Sequence, residues 1–144
     1  MKIRQMSVLM ARIALFIIYF WFGLLKVIGL SPASAMVQEL FGKTLALMPF
    51  SALLTPALFV ILFGAFEVLI GLLFIIPGKE KPAVILFFLH MITTTLPLFF
   101  LGASVWSGMF VPTLEGQYII KNLALIACVL SVWSVLPPKS QSPI

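Results

Sequence analysis

Charge is scarce in this chain. Only 9% of its 144 residues are charged, whereas 62% are hydrophobic. A soluble globular domain carries about 25% charged residues. So few charges cannot cover a soluble core, and the composition predicts an integral membrane protein of one domain. Cysteine is scarcer still. Cys128 is the only one, so dithiol chemistry within the chain is excluded. Its surroundings, "LALIACVLSV", predict an inert buried thiol. A single histidine, with neighbouring Met91 and remote Cys128, is a poor basis for a metal or haem site, which needs more ligands. No basic run with interleaved aromatics is present, so nothing in the sequence suggests nucleic acid. Internal repeats are not evident.

The long apolar runs dominate what is present. A spanning helix needs ~20 mostly apolar residues. Four stretches qualify, at about 8–30, 55–76, 82–101 and 118–136. The fold expected is all-α, a four-helix membrane bundle. Thr55 before Pro56 and Pro82 at a first turn are helix-start signals. "PGKEKP" (Pro77–Pro82) is a short charged turn, so helices two and three should be antiparallel neighbours. Pro97 should kink or end the third helix. Thr113 is a candidate N-cap for the fourth, with Glu115 near the positive end of its dipole. The tail "PPKSQSPI" reads as disordered. The first run is long and bulky, and Lys26 precedes the "ASA" at Ala33–Ala35. It reads as a retained helix, not a cleaved signal.

Positive charge predicts orientation. Lys2, Arg4, Arg12, Lys79, Lys81 and Lys139 fall on one side, and Lys26, Lys43 and Lys121 on the other. Both termini are expected in the cytoplasm. The first extracytoplasmic loop contains "SAMVQELFGKTLALM", with Met36, Val37, Leu40, Phe41 and Met48 at helical spacing. Glu39 and Lys43 are spaced i, i+4. A short amphipathic helix at about 34–48 is expected to lie on the interface or cap the bundle.

The deep polar groups are the candidate site. At ~1.5 Å per residue, Glu67 and His90 should lie roughly 13 and 12 Å from the cytoplasmic face, at nearly one level. A charge near the bilayer centre costs at least ~2.5–3.5 kcal/mol on insertion scales, so Glu67 should face the bundle and find a partner. Gly64, Glu67 and Gly71 share a face that lets another backbone approach. The partner expected is His90, Arg12 or both. Such a pair either registers the helices or forms a proton, ligand or quinone site. Thr93, Thr94 and Pro97 share the face of His90, and threonine hydroxyls often bond their own helix carbonyls.

A second polar group belongs near the outer face. Lys26 ends helix one, and Glu115, Gln117, Lys121 and Asn122 open helix four. Lys26 and Lys121 are expected to snorkel. Lys121 could instead pair with Glu115, or join Lys26 in binding an anion. Trp21, Trp106, Tyr118 and Trp133 suit interfacial belts.

These residues resemble a known family. "RIALFIIYFWFGLLKVIG" (Arg12–Gly29) resembles the first helix of DoxX-like membrane proteins. "FEVLIGLLFIIPGKEK" resembles their second-helix Glu-x-x-x-Gly pattern. "HMITTTLPL" (His90–Leu98) and "PTLEGQYIIKNLALI" (Pro112–Ile126) are closer to a YkgB-related, uncharacterised branch. The resemblance implies a compact four-helix bundle in a bacterial inner (plasma) membrane. Family members include a proposed subunit of a thiosulfate:quinone oxidoreductase, partners in redox-stress complexes and an animal receptor-assembly chaperone. It therefore implies a redox-associated or quinone-interacting membrane subunit that acts with a partner or as a homo-oligomer. The alternatives are a non-catalytic scaffold or assembly factor, and a small-solute or proton transporter. By motif, Arg12, Lys26, Glu67, His90, Gln117, Lys121 and Asn122 carry the expectation. No cofactor is evident in the sequence, a bound quinone being the one implied.

Overall fold

The apolar runs do form helices. A computed structural model describes residues 2–44 and 54–136. In order these are α1 (Lys2–Val27), α2 (Ser34–Lys43), α3 (Pro56–Ile75), α4 (Glu80–Thr95), α5 (Pro97–Phe100), a 3₁₀ turn (Gly102–Ser104), strands β1 (Trp106–Gly108) and β2 (Val111–Pro112), α6 (Leu114–Ile120) and α7 (Asn122–Trp133). Four helical stretches are long and apolar enough to cross a bilayer: Ile3–Val27, Pro56–Ile75, Glu80–Phe100 and Leu114–Trp133. The chain is a multi-pass membrane protein built as a four-helix bundle.

Local chemistry sets the helix ends. The Thr55 hydroxyl accepts from the Leu58 amide and Pro56 occupies the first turn, a cap contributing about 1 kcal/mol. Thr113 does the same for the Gly116 amide. The fourth span therefore starts at Leu114, not near 118. Pro97 has no amide to continue α4, which ends at Thr95 before α5 begins. Residues 45–48 of the expected amphipathic segment and the tail 137–144 lie outside the described residues.

α1 and α3 form the largest interface in the bundle. Glycines make it possible. A Cβ placed on Gly64 would sit 2.6 Å from both the Gly23 carbonyl oxygen and the Lys26 Cβ. A Cβ on Gly23 would sit 2.6 Å from the Gly64 carbonyl oxygen. The two helices thus touch backbone to backbone, as small residues allow in membranes. Below this contact Leu15, Ile70, Phe74, Phe87, Val129 and Val132 are fully buried in one core.

Each end of the bundle is fastened by polar contacts. At one end Arg12 pairs with Glu80 at 2.7 Å. Its Nε also donates to the Phe74 carbonyl at 2.7 Å, within the last turn of α3. This is a cation on unsatisfied helix carbonyls. At the other end α2 caps the bundle. Val37 and Phe41 are buried, and Phe41 packs on Phe59 of α3. Met36 and Leu40 pack on a second core of Leu101, Val105 and Ile119. Glu39 takes Lys43 at 2.8 Å and the Ser104 hydroxyl at 2.9 Å.

Three outcomes follow. Gly64→Ala should destabilise the folded protein by about 1–3 kcal/mol, the usual cost of overpacking. Gly42→Ala, with nothing within 4 Å of the added carbon, should be neutral or stabilise by up to about 1 kcal/mol through helix propensity. Equilibrium unfolding of the two variants in mixed micelles checks both. A third outcome concerns Glu39, whose hydrogen bonds from Lys43 and then Ser104 hold its carboxyl below the ordinary value of 4.5. A lowered folded value means its stabilisation is complete above the ordinary value and lost as pH falls through the lowered one. Wild type should melt above Glu39→Gln at neutral pH, and the gap should close in acid. A gap independent of pH would rule out the carboxylate as its source.

Candidate functional site

Four polar side chains from three helices meet inside the bundle. Lys26 Nζ lies 2.6 Å from Glu67 Oε2. Glu67 Oε1 lies 3.0 Å from His90 Nε2. His90 Nδ1 lies 3.1 Å from the Tyr19 hydroxyl. All four residues are buried, none more than 6% exposed. The result is one continuous chain, Lys26–Glu67–His90–Tyr19.

The donors follow from chemistry. A carboxylate only accepts, so His90 Nε2–H donates to Glu67. With that proton fixed, Nδ1 of the neutral ring accepts from Tyr19 O–H. Lys26 neutralises Glu67 directly, and a single carboxylate satisfies donors from two other helices. Phe63 stacks on the His90 ring at 4.9 Å, and Tyr19 meets it edge-on at 5.2 Å. The Lys26 ammonium also lies 6.0 Å from the Phe63 ring centroid. The imidazole is thus held between the face of Phe63 and the edge of Tyr19, and of these only the Tyr19 hydroxyl bonds it.

Position on the helices explains the assembly. Tyr19 and Lys26 are seven residues apart on α1, two turns along one face. Glu67 sits one turn beyond Gly64 on α3, where the glycine contact brings α1 closest. His90 is in the second half of α4, opposite.

Several sequence expectations are corrected here. Glu67 does meet His90, but Arg12 is not its partner. Arg12 sits two turns further along α3, beside Phe74, and its charge is taken by Glu80. Lys26 does not snorkel at the outer face. α1 ends at Val27 alongside Gly64, and α3 runs on eight residues further to Pro56, about 12 Å of helix. The end of α1 is therefore inside the bundle, and its lysine has only Glu67 to reach. Lys26 and Lys121 do not form one anion site. Lys121 is exposed and lies over its own neighbour Tyr118 at 4.8 Å. No ion pair joins it to Glu115 among the described residues. Glu115 and Gln117 are exposed on α6, and Asn122 is half-buried where α7 begins. These four are not brought to the buried network. Thr93 and Thr94 hydroxyls donate to the His90 carbonyl at 2.7 and 3.2 Å. These are the bonds to their own helix carbonyls that the sequence reading expects.

Sequence reading missed Tyr19 altogether. Its signal was spacing: Arg12, Tyr19 and Lys26 recur every seven residues on one face of an otherwise apolar helix. No protein-family model, curated protein or solved structure matches the chain.

The ion pair sets a measurable coupling. Glu67→Leu or Lys26→Met alone strands a buried charge, and each should cost at least ~2.5–3.5 kcal/mol of stability. The double variant should lose much less than the sum, because removing both partners leaves no orphan charge. Unfolding free energies of the three variants test this. Additive losses would mean that the two groups do not interact.

Proposed function

We propose that this chain is a DoxX-like membrane subunit that handles protons for a quinone-linked or other redox reaction carried out with a partner. The observation that carries the reading is the unbroken Lys26–Glu67–His90–Tyr19 chain, with every link at 2.6–3.1 Å. A structural ion pair needs only Lys26 and Glu67. The histidine adds a group that passes a proton through its two nitrogens. One proton taken up from the partnered reaction would be shared between Glu67 and His90, with Tyr19 staying a phenol whose oxygen accepts from Nδ1–H. Intramembrane ionisable groups of this kind mark proton relays in membrane proteins.

Quinone reduction takes up protons as well as electrons. The proton side fits these residues. The electrons would come from a partner, since one cysteine provides no dithiol centre. A shallow, open apolar depression along α4, lined by Phe88, Met91, Ile92, Thr95, Leu96 and Phe99, is where an isoprenoid tail would lie on this reading. We place the protein in a bacterial inner membrane with both termini cytoplasmic. Lys79 and Lys81 lie in and beside the turn between α3 and α4, on the side where α1 begins.

A second reading is favoured by the completeness of the pairing. Both Glu67 oxygens are occupied within the chain, and α1 and α3 are already in backbone contact. In that reading the network only registers the helices of a scaffold or assembly factor. One experiment separates the two. Small molecules extracted from protein purified out of native membranes are identified by mass spectrometry, for wild type and Glu67→Gln. The redox reading expects a stoichiometric quinone in wild type that is lost in the folded variant. Bulk lipid alone in both samples, with an earlier melt for the variant, would leave the scaffold reading standing.

A further inference from the structure

The hairpin between α5 and α6 is more elaborate than a connection requires. β1 and β2 pair antiparallel, with Trp106 opposite Pro112 and Gly108 opposite Val111. Met109 and Phe110 form the tip. Their side chains are 88% and 84% exposed, the highest values among the large hydrophobic residues described. Phe110 has φ +59°, the only positive value outside glycine among the described residues. The second central position of such a turn ordinarily takes glycine or asparagine. A phenylalanine there accepts an unfavourable backbone in order to project its ring.

The tip is held firmly. Trp106 Nε1 donates to the Leu98 carbonyl at 3.0 Å. The Thr113 hydroxyl donates to the Ser104 carbonyl at 2.9 Å. The Thr113 amide donates to the Val105 carbonyl at 2.9 Å. Val105 is fully buried, and its carbonyl lies against Gly116, where a Cβ would clash. Two apolar side chains are therefore presented outward on a braced support.

What covers them follows from their surroundings. From Pro82 to Leu114 the chain carries no Lys, Arg, Asp or Glu. The hairpin thus continues the uncharged surface of a spanning helix. Phe99 and Phe100 before it, and Leu114 and Tyr118 after it, are exposed in the same way. These flanking residues belong to segments long and apolar enough to cross the bilayer. A loop that faces water rarely exposes two large apolar side chains side by side. A surface continuous with the lipid-facing helices, ending in Phe and Met beside a Trp, matches the composition of the membrane interface. We propose that the Met109–Phe110 tip is an interfacial anchor, inserted at the headgroup–acyl boundary of the leaflet nearest α2.

The test places an environment-sensitive NBD probe on Phe110→Cys in a Cys128→Ser background. The full chain is reconstituted in phosphatidylcholine vesicles, and Lys79→Cys serves as the aqueous control. Met109→Cys supplies a second tip position should Phe110→Cys fail to fold. Nitroxide-bearing lipids should quench the tip probe about twofold or more, as expected about 5–10 Å into the boundary. Aqueous iodide should quench only the Lys79 probe. Quenching of the tip by iodide and not by lipid nitroxide would overturn the proposal. So would shielding from both quenchers, which would instead put the tip against a second copy of the chain.

Discussion

The burial of one carboxylate organises the whole molecule. A hydrocarbon surround offers Glu67 neither water nor counterions, so the chain must supply both the charge and the hydrogen bonds that it lacks. It does so from two other helices, Lys26 on α1 and His90 on α4. Each requirement then propagates. For Lys26 to reach, α1 must lie against α3, and glycines at 23 and 64 allow that approach. For His90 to accept its place, its second nitrogen needs a partner, and Tyr19 completes the chain from α1. The three helices are thus fixed in register by a single acid. Apolar packing alone fixes register weakly in lipid, because the tails are as apolar as the side chains.

The two ends of the bundle solve a different problem. There the backbone groups of helix termini need partners. Arg12 takes the last carbonyls of α3 and is itself neutralised by Glu80. At the opposite end α2 lays an apolar face on Phe59, Leu101 and Val105, and turns Glu39 to Ser104. Because these ends are satisfied locally, no charge from them is needed at the centre. The central network is neutral by its own pairing. A proton added at Glu67 would leave the Lys26 ammonium without its counter-ion.

Much of this was legible in the sequence. Four apolar runs, the caps at Thr55 and Thr113 and the break at Pro97 follow from local rules. So did the meeting of Glu67 with His90, since a short turn fixes the relative depth of the helices that carry them. Lys26 was misplaced for an instructive reason. Depth along a helix places a residue only where all helices end at one level, and here α1 stops beside Gly64 while α3 continues to Pro56. Arg12 was misassigned because a long side chain near the right face has several acceptors. Only tertiary structure shows that Glu80 and the end of α3 are nearer. Composition does not single out Tyr19; only its seven-residue spacing from Arg12 and Lys26 marks it.

The placement of aromatic rings sharpens what the central network can do. Phe63 lies stacked on His90, and Tyr19 meets the same ring edge-on. Neither contact fixes which nitrogen carries the proton. That choice is left to Glu67 on one side and the Tyr19 hydroxyl on the other. Both neighbours change their demands together when a proton moves. If Glu67 is protonated, Nε2 becomes the acceptor and Nδ1 the donor, so the Glu67–His90 and His90–Tyr19 links reverse at the same distances while Lys26 still donates to Glu67. On the proton-handling reading proposed above, that reversal would let a proton move without the three helices shifting.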